Sequence, residues 1–155
     1  MSSSGLGKLG EAIAHKLWPD LQPTKSGSHE DLRGTDAIAE SGPVQIKTDR
    51  RIATSKNLFW EIEKRRDGKW NDHGISSDWY PSLSSTTKEY IFVTHELAYR
   101  VPVSELKRAV ETNKIFCEQI NETAKGYLIP IVCLDSGKYE VKVHNTALPT
   151  PQYKL

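Results

Sequence analysis

Between Thr35 and Thr48 the chain alternates twice about a turn, and this pattern constrains the fold more than any other. Thr35-Asp-Ala-Ile-Ala-Glu40 and Val44-Gln-Ile-Lys-Thr48 read as two strands, with Ser41-Gly-Pro43 as the turn. Pro43 sits where a missing N–H costs little. A four-residue loop, Glu40 to Pro43, sets Ala39 opposite Val44, Ile38 opposite Gln45 and Asp36 opposite Lys47. Opposed residues share a face, and so do residues two apart. Asp36, Ile38, Gln45 and Lys47 then lie on one side. Ala37, Ala39, Val44 and Ile46 form the other, which is wholly apolar and suited to a core. A slip of one residue would bury Asp36 and Lys47 instead, so the pattern selects the register.

The elements around this hairpin predict an α/β domain with a mixed sheet flanked by helices. Leu6, Leu9, Ile13 and Leu17 recur at helical spacing, with Ser3 or Ser4 as cap and Pro19 as the stop. Residues 23–31 carry loop chemistry. Ser55 to Lys64 fits a strand or a helix. Asn71 to Lys88 is a long polar loop containing Trp79-Tyr-Pro81, and loops of that length are usually functional or mobile. Tyr90-Ile-Phe-Val-Thr94 reads as a strand buried on both faces, and Tyr99 to Val103 as a short extended piece. Ser104 caps a helix to about Asn113. Tyr127 to Leu134 and Tyr139 to Val143 read as two strands joined by Asp135-Ser-Gly-Lys138. One domain over 1–148 is expected, with 149–155 as a tail marked by Pro149 and Pro151.

Composition removes several function classes. Lys plus Arg number 21 and Asp plus Glu 20, a net charge of +1, which excludes a globally basic nucleic-acid binder but not a local patch. No run approaches the length of a membrane span, and the first residues lack a signal-peptide pattern, so a cytoplasmic protein is expected. Cys117 and Cys133 match no zinc spacing and read as buried thiols. His15, His29, His73, His95 and His144 show no metal-ligand spacing.

The polar hairpin face gathers a carboxylate, an amide and an ammonium. A carboxylate and an amide carbonyl are hard oxygen ligands suited to Mg²⁺. A lysine beside them can orient water or offset charge on a phosphate, an apparatus suited to phosphodiester hydrolysis. On Thr35-Asp36 and Gln45-Ile46-Lys47 the chain resembles the PD-(D/E)xK nuclease superfamily, which includes restriction endonucleases, junction resolvases and small restriction-like homing endonucleases. The likeness covers about residues 5–66. It implies a restriction-endonuclease-like fold and a metal held by Asp36, Gln45 and the Ile46 carbonyl. It further implies water positioned by Lys47, and assistance from Glu11, which matches the upstream glutamate of resolvase-like members. Thr35 replaces the proline of the motif, a mild departure. Gln45 replaces its second acid, which removes one negative charge, should weaken metal affinity or favour a single ion, and leaves an inactive enzyme open. By residue pattern alone, Asp36 and Lys47 also suit an exposed ion pair. Glu11 lies nearly opposite the apolar stripe, with Lys8 and His15 beside it, and equally suits a solvated face.

The segment 47–69 is locally basic. Lys47, Arg50, Arg51, Lys56, Lys64, Arg65, Arg66 and Lys69 stand against Asp49, Glu61, Glu63 and Asp67, with Phe59 and Trp60 interleaved. Double-stranded DNA attracts such a patch through its phosphates. The expected contacts are Arg50, Arg51, Lys56, Lys64, Arg65 and Arg66, with His73 and Trp79 from the long loop. Glu61 and Glu63 suit a supporting carboxylate and a salt-bridge partner, in either order. The resulting expectation is a Mg²⁺-dependent, site-specific endonuclease of homing type. One small active site per chain implies a homodimer or homotetramer for cutting both strands. The rivals are a four-way junction resolvase and a non-catalytic DNA-binding module.

Overall fold

The computed structural model describes residues 3–24, 36–48, 55–65, 79–81, 86–94, 97–135 and 137–145. The architecture is mixed α/β, with two sheets and a few helices. Helix α1 (Ser3–Leu17) leads into β1 (Gln22–Pro23), β2 (Ala37–Ala39) and β3 (Gly42–Thr48). Then come β4 (Asn57–Arg65), β5 (Trp79–Pro81), β6 (Glu89–Val93) and β7 (Leu97–Pro102). Helix α2 (Val103–Thr112), β8 (Glu118–Asn121), β9 (Ala124–Pro130), the short α3 (Ile131–Leu134) and β10 (Lys142–Asn145) complete the order. Among the described residues no helix is long and apolar enough to cross a membrane.

The larger sheet runs β1-β2-β3-β6-β7-β10 and the smaller β5-β4-β9-β8. Among the described residues only β3 and β6 pair in parallel, with Gln45 beside Tyr90 and Lys47 beside Phe92. Antiparallel pairing elsewhere makes the large sheet mixed. Its two faces are both covered, so β6 is buried along its length, as its apolar run predicts. On one face Ala37, Ala39, Val44, Ile46, Ile91 and Val93 pack with Ile13, Ala14 and Trp18 of the α1 region. A Cβ at Gly10 would collide with the Thr48 side chain, so glycine permits the close approach of α1 to β3. On the other face Tyr90, Phe92, Tyr99 and Val101 pack with Leu58 and Trp60 of β4, Ile129 of β9 and Leu106 of α2.

Several expectations are corrected. The hairpin turns in two residues, Glu40 and Ser41, not four: Ala37 pairs with Val44 and Ile38 with Pro43. Gly42 (φ 132) absorbs the backbone strain that an L side chain would resist. The shift is even, so the two faces keep their residues. The ambiguous Ser55–Lys64 segment forms a strand, β4, because Leu58 and Trp60 alternate into the core. The last hairpin does not form. Tyr127 to Leu134 breaks at Pro130, after which the chain turns into α3 and then pairs β10 with β7 in the other sheet. Helix α2 starts two residues earlier than expected, with Pro102 rather than Ser104 as N-cap and no side-chain cap. Cys117 is exposed and Cys133 half-buried, so neither is a core thiol.

Candidate active site

Strands β2 and β3 carry the site because their polar alternation leaves one face for α1 and turns the other toward β4. Asp36 sits just before β2. Its N–H donates to the Val44 carbonyl (2.9 Å), and its Oδ2 accepts the Ile46 N–H (2.8 Å). The carboxylate is thereby fixed against the backbone between Gln45 and Lys47. Gln45 is 2% exposed, and its Nε2 donates to Thr87 Oγ1 (3.4 Å), which orients the amide.

Lys47 follows on the same face, partly buried, with no hydrogen bond among the described residues. Burial pushes its ammonium below the ordinary lysine range and the nearby Lys64 pushes the same way, while Glu61 and Asp36 offset this only in part. Burial also pushes the Tyr90 hydroxyl up, and Glu61 and Asp36 act on it in the same direction. The charges of Asp36 and Glu61 thus act on both Lys47 and Tyr90, and that of Lys64 on Lys47.

The structure brings Asp36, Gln45, Ile46 and Lys47 together. Glu11 is half-buried on α1, next to the Gly10 that abuts Thr48. The charges acting on Lys47 come from Lys64, Glu61 and Asp36. Lys64, expected at a phosphate, pairs with Glu61 across 3.6 Å. Arg65 is exposed at the end of β4 and Lys56 is exposed before it, in a left-handed conformation (φ 59). Trp79 is half-buried on β5, its ring covered by the Lys125 ammonium at 4.1 Å. Arg50, Arg51, Arg66 and His73 lie outside the described residues.

Glu61 and Glu63, inseparable in the sequence, separate here. Glu61 acts on Lys47, whereas the Cys117 thiol is pushed up first by burial and then by Glu63. Strand alternation alone would have put both carboxylates on one face. The signal that divides them is the irregular pairing of β4 with β9.

Among the described residues no group of three or more His, Cys, Asp or Glu side chains forms a metal cluster. The donors present are still those a hard divalent cation takes: the Asp36 carboxylate, the Gln45 amide and backbone carbonyls. No family model, no curated protein and no solved structure matches this chain.

Proposed function

We propose that the chain is a Mg²⁺-dependent DNA endonuclease with a restriction-endonuclease-like core, cutting double-stranded DNA at specific sites in the manner of a homing enzyme. The observation that supports this best is Lys47: a partly buried ammonium without a hydrogen bond among the described residues, on one face with Asp36 and Gln45. Structural lysines rarely give up both water and a partner, whereas reactive ones do.

Asp36, Gln45 and the Ile46 carbonyl would hold the ion. When bound, Mg²⁺ supplies charge neutralisation at the scissile phosphate. Asp36 is held for this by the Ile46 N–H, and Gln45 by Thr87. Lys47 orients the attacking water and offsets the charge that develops on the phosphate. Lys64 and Arg65, at the far end of β4, meet the DNA backbone beside it. Two copies present two sites, one for each strand, which requires a symmetric homodimer or homotetramer.

A non-catalytic DNA-binding module is the second reading. It is favoured by Gln45, which is neutral, deeply buried and tied to Thr87. One experiment separates the two. Purified protein is incubated with Mg²⁺ and a randomised duplex library, with a four-way junction in parallel. Cleavage that falls by about 10²-fold or more in Lys47→Ala supports the enzyme. Binding without cleavage by either protein overturns it.

A further inference from the structure

Thr87 reaches the polar hairpin face from outside the hairpin. It lies just before β6 and is 4% exposed. The parallel pairing of β3 with β6 brings it there, with Val44 beside Glu89 and Gln45 beside Tyr90. The backbone next to it is tied on both sides. The Lys88 N–H donates to the Pro43 carbonyl (2.8 Å), and the Lys88 carbonyl accepts the N–H of Val103, the first residue of α2 (2.8 Å). Thr87 therefore offers its hydroxyl from a segment fixed both to the hairpin and to α2. The buried Gln45 donates to that hydroxyl from Nε2 at 3.4 Å. An amide whose nitrogen is occupied in this way carries its oxygen on the other limb of the fork. Among the described residues no hydrogen bond reaches that oxygen. One step along the register from the Ala37–Val44 pair, Asp36 stands beside Gln45, and its Oδ2 holds the Ile46 N–H at 2.8 Å.

We propose that Thr87 is a positioning residue of the site: it takes the Gln45 amide nitrogen and so leaves the amide oxygen for a divalent cation shared with Asp36. This rests on the endonuclease reading above and deepens it, because it names what makes a neutral side chain usable as a ligand. A carboxylate needs no such help, since either of its oxygens binds a cation. An amide has one oxygen and one NH₂ group, and a half-turn about its last bond replaces a ligand with two donors. The half-turn would also affect Asp36. An NH₂ group aimed at that carboxylate donates to it and competes with the cation for its oxygens. Without an acceptor elsewhere, burial favours this arrangement, because an unpaired buried N–H is costly. Thr87 supplies the other acceptor. A site built from one acid and one amide is thus matched by a hydroxyl that settles which end of the amide faces the acid.

The test is Mn²⁺ binding by the full chain, read as loss of the free-ion signal in electron paramagnetic resonance, beside Mg²⁺-dependent cleavage. Thr87→Val keeps the shape of the side chain and removes the hydroxyl. It is expected to weaken Mn²⁺ binding by about 10-fold and to raise the Mg²⁺ needed for half-maximal cleavage similarly, with cleavage recovering at saturating Mg²⁺. Thr87→Ser returns the hydroxyl and is expected to restore binding. Gln45→Glu supplies a readout that packing alone would not move. With two equivalent oxygens at position 45, adding Thr87→Val should cost little Mn²⁺ affinity. Wild-type Mn²⁺ affinity in Thr87→Val overturns the proposal and leaves the endonuclease reading standing. Equal losses from Thr87→Val in the two backgrounds also overturn it, since Thr87 then acts through packing. A wild-type protein that neither binds Mn²⁺ nor cleaves overturns both readings. Should thermal melts show Gln45→Glu to be unfolded, the serine variant decides: a loss in Thr87→Ser equal to that in Thr87→Val overturns the proposal. Should Thr87→Val itself be unfolded, Thr87→Ala takes its place, and unchanged Mn²⁺ affinity in it overturns the proposal as well.

Discussion

Two cations sit within the layers on opposite faces of the same sheet, and the fold treats them in opposite ways. Arg100 of β7 lies on the α1 side, 5% exposed. It donates two hydrogen bonds to Asp20 at 2.9 Å and three to Glu89 at 3.0–3.3 Å. Burial works against its charge, but the bonds to Asp20 and Glu89 outweigh it and hold the guanidinium above its ordinary range. The planar fork suits this bidentate role. Lys47 of β3 has no such bonds among the described residues, and burial pushes its ammonium down. Arg100 clamps the α1–β1 connection to the sheet; Lys47 is left poised. A buried charge that is fully paired marks structure, and one that is not marks a site where something else is meant to bind.

Three experiments sharpen or break this contrast. The largest effect is expected for Arg100→Met. It strands the Glu89 carboxylate, itself 8% exposed, and should cost about 3–5 kcal/mol, read as a fall in Tm of about 10 °C. Adding Glu89→Gln should recover part of the loss. A cost below about 1 kcal/mol would show that the clamp does not hold the fold.

Lys47→Met should move stability the other way, by about 0.5–2 kcal/mol, while abolishing cleavage. The sign follows from the depressed ammonium. Its cost to folding is fully present below the folded pKa. It fades as pH rises and is gone above the ordinary 10.5. The Tm gain should therefore shrink from neutral toward alkaline pH. A loss of Tm at neutral pH would make Lys47 a structural partner like Arg100.

The smallest effect concerns acid. The hydrogen bond and charge of Arg100 hold the half-exposed Asp20 carboxyl below its ordinary 3.8. Its contribution is fully present above that value and is lost as pH falls through the lower folded one. Asp20→Asn should lower Tm slightly at neutral pH and flatten its decline between about pH 5 and 2. An equally steep decline would place the acid sensitivity elsewhere.

Much of the fold is legible in local pattern. Residues 37–39 and 44–48 show which face is apolar, because alternation is a property of one strand and needs no partner. Residues 90–94 show a doubly buried strand by their unbroken apolar run. What escaped the reading is pairing. The turn spans two residues, Glu40 and Ser41, rather than four, because Gly42 and Pro43 already pair with Ala39 and Ile38. Tyr127 and Val143 read as hairpin neighbours by their spacing, yet β9 and β10 belong to different sheets. Cys117 looks like a core residue by type, but it falls in the exposed stretch between α2 and β8, beside Phe116, itself 81% exposed.

The same division runs through the candidate site. The sequence by itself determined that Asp36, Gln45 and Lys47 share a face, since side chains two apart in a strand point alike and an even shift of register cannot separate them. Only the tertiary structure decided what faces them. Burial set the state of Lys47, the packing of the small sheet onto the large one brought Leu58 and Trp60 of β4 against Tyr90 and Phe92, and one extra residue in β4 separated Glu61 from Glu63. Proximity between distant segments arises when layers pack, and no local pattern in the chain encodes it.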